Sequence, residues 1–388
     1  MGGSALNSNT TGIQNNAMGM NALALNTTGN KNNAIGYQAL FANNRGSNNN
    51  AVGDEALRVN TTGEKNNAIG DTALYSNTTG SYNSAVGNEA LYSNTTGNYN
   101  SAFGYSALYS NRRNYNSAFG AEALRNNTTG SGNSAFGSAA LLSNTTGNQN
   151  TAVGNNALLF NTIGTQNTAV GSAALFFNTT GIRNNAFGDE ALRKNTTGIR
   201  NNAVGYQALN NNTTGSNNVA IGDAGTNNIT GANNTFIGNG ADCSLNTNLT
   251  NITAIGNGAT VFASNTIVLG NSSITALQCQ VQSITGLSDA RDKKDVQDIP
   301  LGLDFIDKLH PVKFAWNMRD GGKVGQEEFG FIAQELKQAQ DEIGITVPHL
   351  VDETNGEKIY ASYGTLIPVL VKAVQELSDE VKRLKKTQ

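Results

Sequence analysis

A 17-residue period runs through the first half of the chain and leaves few folds open to it. Ala-x-Gly recurs at Ala17/Gly19, Ala34/Gly36, Ala51/Gly53, Ala68/Gly70, Ala85/Gly87 and Ala102/Gly104, then from Ala118/Gly120 onward to Ala220/Gly222. One step, at Asn111-Arg112-Arg113-Asn114, is 16 residues instead. The unit reads Asn-Thr-Thr-Gly-x-x-Asn-x-Ala-(Val/Ile/Phe/Met)-Gly-x-x-Ala-Leu-x-x. A period of this length marks a solenoid, since one unit cannot bury its apolar residues and stacked units can. Gly, Asn and Thr are poor helix formers, so the coils are predicted to be β. A short strand is expected at the Ala, and a tight turn at Asn-Thr-Thr-Gly. Two apolar anchors per unit are expected to line the core. One lies between Ala and Gly (Val52, Phe103, Phe136, Ile221), and the other is the Leu of Ala-Leu (Leu40, Leu74, Leu108, Leu175).

An Asn stands two residues before each of these alanines: Asn15, Asn32, Asn49, Asn66, Asn83, Asn100, Asn116, Asn133, Asn150, Asn167, Asn184, Asn201 and Asn218. Parallel stacking would turn them into an Asn ladder, each amide bonding to the next. The Asn-Thr-Thr triplets at Asn26, Asn60, Asn77, Asn94 and Asn195 match a glycosylation acceptor but are read as turn chemistry. Gly2, Ala5 and Leu6 already fit the frame, so the chain is expected to begin inside a repeat. With one coil per unit at about 4.8 Å, the array makes a rod of roughly 60 Å.

Charged residues are 14 % of the chain, against roughly 25 % in average globular proteins. Disorder usually combines low hydrophobicity with high net charge and no regular apolar positions. Here the net charge is −3 and the period is strict, which argues for order. So small a charge gives no footprint for nucleic acid or an anionic membrane. No apolar run reaches the ~18 residues of a membrane span, and Met1–Leu6 lacks the basic and apolar regions of a secretory signal. Cys243 and Cys279 are too few for a disulfide framework. No recurring carboxylate pair and no Asp-rich nonapeptide pattern occur, so no metal and no cofactor are expected.

The period degrades after Gly222. Thr235-Phe236-Ile237-Gly238 and Thr253-Ala254-Ile255-Gly256 keep the motif at irregular spacing, and an alternating apolar run follows from Ile274 to Ile284. This predicts three parts: a shaft over 1–223, capping coils and a β neck over 224–287, and a different domain over 288–388. Every proline, the one Trp (Trp316) and both histidines (His310, His349) lie after Leu287. At the junction stands Leu287-Ser288-Asp289-Ala290-Arg291-Asp292-Lys293-Lys294. A serine hydroxyl becomes a nucleophile when a neighbouring base takes its proton, and a neutral lysine can serve. Arg291 and Lys294 would push Lys293 toward that form.

Ser288-Asp289-x-Arg291-x-Lys293 is followed by Leu309-x-Pro311-Val312-x-Phe314-x-Trp316, by Gly330-Phe331-Ile332-Ala333-Gln334-Glu335, and by Tyr363, Leu366 and Leu370 to Leu377. This order resembles the intramolecular chaperone and auto-processing domain of endosialidase-type phage tail spikes and fibres. The resemblance implies a domain that trimerises, helps an upstream β shaft to fold, and cuts itself free before the serine. It makes Ser288 the nucleophile on the Leu287 carbonyl and Lys293 the base, with Asp289 and Arg291 in support. The repeats, for their part, resemble the head repeats of YadA-like trimeric adhesins, which build parallel β-rolls in a trimer.

Leu370, Val374, Leu377, Val381 and Leu384 step by four and three along a C-terminal helix, the seam of a short coiled coil. Lys372–Glu376 and Asp379–Arg383 would pair outside it, and Gln326–Gln340 is expected to supply another helix. The fold expected is mainly β: a parallel β-solenoid in a homotrimer, a β neck, and a small α+β chaperone domain. Its function would be that of a phage-type tail fibre or surface adhesin, in a virion tail or at a cell surface. Its partners would be its own copies and a host-surface glycan or protein receptor, with no nucleic acid and no membrane insertion. The only enzymic step would be self-cleavage. A rival reading takes the regular Thr ranks (Thr27-Thr28 and equivalents) as a flat surface for ice.

Overall fold

The structure is a computed structural model and describes residues 3–244, 248–278, 288–318, 323–353 and 358–387. Two compact units divide between Leu269 and Gly270. The first is a parallel β-solenoid. Sixteen strands form one sheet, and strand order follows chain order except that two short strands, Asp242–Cys243 and Thr260–Val261, pair apart from it. Each main strand spans three residues, such as Asn33–Ile35 or Thr168–Val170. Like residues pair with like, Ala17 with Ala34 and Ala169 with Ala186, so sequence period and sheet register coincide. The sheet runs on past Gly222 through Thr235–Ile237 and Thr253–Ile255 to Ile267–Leu269.

One apolar anchor behaves as expected and the other does not. Leu40, Leu74, Leu108 and Leu175 are fully buried, together with the alanine before each and the strand alanines from Ala34 to Ala220. The residue between Ala and Gly instead faces outward, with Phe136 41 % and Ile221 46 % exposed. The reason is the pleat: Ala and its successor point to opposite faces of a strand. Alanine takes the inside, where the coil is thin, and the larger residue is turned out. Stacked over successive coils, these side chains make an apolar stripe on each chain. In it Phe103, Phe119 and Phe136 lie face to face at 4.8 and 4.9 Å.

Other outward columns also carry blocks of one residue type. Tyr75, Tyr92 and Tyr109 stack at 5.1 and 5.0 Å. Arg58 closes one end of that stack, 5.6 Å over Tyr75, and Arg125 the other, 5.7 Å over Tyr109.

The second unit is a small α/β assembly with a terminal helix. Helix α1 (Leu303–Ile306) is followed by an antiparallel hairpin of Val312–Ala315 with Glu327–Gly330. Helix α2 (Ala333–Ile343) ends on Gly344 at φ 67°, and a second antiparallel pair joins Val351–Asp352 to Tyr360–Ala361. Helix α3 (Ile367–Lys386) then completes the unit. The helix expected over 326–340 is corrected here, because Glu327–Gly330 is strand and the helix begins at Ala333. Phe329 and Phe331 fit a strand, and Gly330 sits where a side chain would meet the Tyr363 hydroxyl at 2.8 Å. Leu301, Phe305, Leu336, Leu350, Leu366 and Val369 form the core. The Glu376 carboxylate of α3 accepts the Leu303 N–H at 2.8 Å, capping α1.

Of the expected neck, residues 274–278 carry no strand, and residues 279–287 lie outside the described residues. Leu287 and Cys279 are among the latter.

Candidate functional site

Ser288 and Lys293 are brought together by one turn of 3-10 helix. Ala290–Asp292 form the turn, and the Lys293 N–H closes it on the Ala290 carbonyl at 3.2 Å. Asp289 caps the turn by accepting the Arg291 N–H at 2.9 Å. The same carboxylate holds the Arg291 guanidinium, with contacts of 2.7 to 3.2 Å. That guanidinium keeps the Asp289 carboxyl below its ordinary range. Folding the chain back through five residues sets the Lys293 Nζ 2.7 Å from the Ser288 Oγ, as donor to it. Both side chains are exposed in the single chain. The four residues singled out from the sequence therefore form one constellation: a hydroxyl, an amine, and an ion pair that shapes the turn between them. Leu287, the residue before the expected cleavage point, lies outside the described residues.

The seam residues of α3 all face outward, Leu370 at 45 % and Val374 at 65 % exposure. Val369 and Ala373, on another face, dock the helix on its own unit. Lys372 approaches Glu376 at 3.8 Å as the spacing implies, but Arg383 pairs with Glu380 and Asp379 with Lys382. In an exposed helix, i,i+3 partners compete on equal terms with i,i+4 ones.

The ladder asparagines, from Asn32 to Asn218, are buried. Each donates its main-chain N–H to the Oδ1 of the ladder asparagine one coil before. The Asn167 N–H donates to the Asn150 Oδ1 at 3.0 Å, and its Nδ2 donates to the Gly181 carbonyl at 2.8 Å. A second ladder, missed in the sequence, runs beside it through the first residue of each turn. Asn144 Nδ2 donates to Asn127 Oδ1 at 2.7 Å and to the Gly147 carbonyl at 3.0 Å, and Asn161 repeats both bonds one coil on. The signal was there: Asn43 and Asn111 persist where Thr-Thr is lost. Asn26, Asn60, Asn77, Asn94 and Asn195 belong to this ladder and are fully buried, so in the folded shaft they offer no glycan acceptor.

Asn144→Ala strands the Asn127 Oδ1 and removes one partner each from Gly147 and Asn161. At about 1–3 kcal/mol for a buried unmet group, a loss of roughly 2–4 kcal/mol is expected. It is measured as a lower denaturant midpoint. A change of a few tenths would mean that the ladder is redundant.

Among the described residues no helix is long and apolar enough to cross a membrane. No curated protein matches the chain. Residues 288–345 match the family model described as Chaperone of endosialidase, so the chain carries an intramolecular chaperone module after a β-solenoid of stacked repeats.

Proposed function

We propose that the chain is a homotrimeric fibre protein of a phage tail or cell surface whose C-terminal domain aligns three shafts and then cuts itself off before Ser288. Its parts would be the shaft over 1–223, the capping coils and neck over 224–287, and the releasing domain over 288–388. The observation that carries the reading is the 2.7 Å approach of Lys293 Nζ to Ser288 Oγ, inside a segment matched by the chaperone family. The two apolar stripes, one along the solenoid and one along α3 at Leu370, Val374, Leu377, Val381 and Leu384, support self-association. A stripe of this length on a soluble surface otherwise marks an aggregation hazard.

The reaction would run as an acyl shift. Ser288 Oγ gives its proton to Lys293 Nζ and attacks the Leu287 carbonyl carbon. The Leu287–Ser288 C–N bond breaks, and the lysine returns the proton to the departing amine. Water then hydrolyses the ester, leaving a Leu287 carboxylate and a Ser288 α-amine. Lysine accepts a proton only when neutral, and desolvation favours that form. Both groups are exposed in one chain, so assembly around them becomes a condition of cleavage, and release follows alignment.

A chaperone is also what such a shaft needs. Parallel pairing of distant segments is slow, and near-identical coils invite slips of register. The rival reading, ice binding, is weakened because Thr78, Thr145 and Thr162 spend their hydroxyl hydrogens on the backbone of the next coil. The test is assembly without the tail. Chains synthesised with residues 288–388 deleted are expected to give aggregated or unordered shafts, and full-length chains to give trimers by analytical ultracentrifugation. Equal yields of ordered trimer from both would remove the chaperone role.

A further inference from the structure

The coil that departs from the period also interrupts the solenoid's hydrogen bonding, and three features meet there. The first is an unfinished aromatic column. Tyr82, Tyr99 and Tyr115 stack at 4.8 and 5.4 Å, and Tyr115, the last of them, is 63 % exposed. The next place in the column is Gly132, and the one after is Gln149. A Cβ built on Gly132 would meet the Gln149 Cγ at 3.7 Å and nothing on the Tyr115 side within 4 Å. A position that would hold a side chain is therefore empty.

The second feature is open backbone. At this corner each coil donates an N–H to the coil before it: Tyr99 to Ser81 at 3.2 Å, Tyr115 to Asn98 at 3.2 Å, Gln149 to Ser131 at 3.0 Å. Gly132 makes no such bond. Along the neighbouring turn, Thr78 donates to Thr95 and Thr128 to Thr145, but Thr95 and Thr96 donate to nothing in the shortened Arg112–Arg113 turn. Undirected N–H groups around one corner favour an anion.

The third is unbalanced charge. Between residues 90 and 188 the one acidic residue is Glu122, and it pairs with Arg125 at 3.8 Å. Arg112 and Arg113 are exposed, and among the described residues neither has a carboxylate partner.

We propose that the corner formed by Tyr115, Gly132 and the Arg112–Arg113 turn binds a carboxylated pyranose unit of an acidic polysaccharide. Two coils of about 4.8 Å leave roughly 9.6 Å between Tyr115 and Gln149, which admits one six-membered ring at stacking separations of about 4.5–5 Å. The apolar face of the sugar lies on Tyr115, and the Gly132 N–H and Gln149 amide meet its hydroxyls. The carboxylate takes the arginines, whose planar donors suit it. An apolar ligand would leave those donors idle. The site itself stands on the shaft surface, and only its use in attachment rests on the fibre reading above.

The test is calorimetric titration of the full chain with oligogalacturonate, beside maltohexaose as the neutral control, with oligomeric state and cleavage recorded on the same samples. Saturable binding of the acidic oligomer is expected, weakening with added salt. Gly132→Tyr fills the gap with the residue that Tyr82, Tyr99 and Tyr115 already place at φ 60°, 58° and 63°, close to the 67° of Gly132, so the coil accepts it. It should reduce affinity more than tenfold with the thermal midpoint unchanged, and Arg112→Ala with Arg113→Ala should do the same. Unchanged binding in Gly132→Tyr, equal binding of maltohexaose, or no binding of oligogalacturonate would each overturn the site. Because size and cleavage are read separately, that failure is distinct from a failure of the fibre reading.

Discussion

Ser288→Ala is expected to keep the chain at its full 388 residues, while the wild type yields a fragment that begins at Ser288. The expectation follows from the geometry of the turn. Among the described residues of this segment, Ser288 is the one that offers an oxygen to the Lys293 amine, at 2.7 Å, and the alanine variant has none. Removing a nucleophile that acts as a unit with its base costs roughly 10³–10⁶ in rate. Lys293→Met keeps the length of the side chain, removes the amine, and should be as silent. Asp289→Ala should differ, because Asp289 shapes the turn without meeting the reacting atoms. It loses the bonds to the Arg291 N–H and guanidinium, and a misplacement of about 1 Å costs on the order of a hundredfold. Intact mass of the assembled protein, followed over time, separates the two behaviours. A Ser288 fragment appearing from Ser288→Ala at wild-type rate would end the assignment of the pair.

Gly171→Ala is expected to break the shaft where Gly132→Ala does not. Gly171 has φ 137°, and a Cβ there would sit 2.3 Å from the Gly188 carbonyl oxygen and 2.5 Å from its carbon. Both atoms are backbone held by the next coil, so no rotamer change relieves the clash. Overpacking against a rigid neighbour and an unfavourable φ together cost about 3–5 kcal/mol. Gly132, by contrast, has a nearest neighbour at 3.7 Å and a φ that other residues of its column adopt. Limited proteolysis should therefore open Gly171→Ala near the altered coil and leave Gly132→Ala resistant. Equal resistance would mean that the coils separate more easily than their backbone bonds imply.

These glycines show how much of the fold was legible. The Ala-x-Gly motif fixed the period, the parallel pairing and the register, because residues that recur at one interval must stack on their own kind. The motif did not say which face each residue would take. Val52 and Phe103 were expected inside with Leu40, but only the pleat decides that Ala51 and Ala102 go in. Both asparagine columns recur alike, yet Thr-Thr beside one of them resembled an ordinary surface turn, so its burial was hidden. At the junction the residue types announced a nucleophile and an amine. The 3-10 turn that joins them depends on Asp289 capping Arg291, a three-dimensional fact with no period to betray it. The hairpin strand Glu327–Gly330 was mistaken for helix because Gln326–Gln340 is rich in Gln and Glu, and tertiary pairing with Val312–Ala315 overrides that propensity.

The like-with-like pairing of coils has a further consequence at the level of the gene. Each unit presents the same upper surface and the same lower surface, so adding or losing one whole unit creates no joint that is not already present many times over. Unequal exchange between near-identical segments of coding DNA would then change the length of the solenoid in increments of about 4.8 Å, with both ends untouched. Length in such a molecule is a number that can be counted up or down, independent of the chemistry carried at either tip.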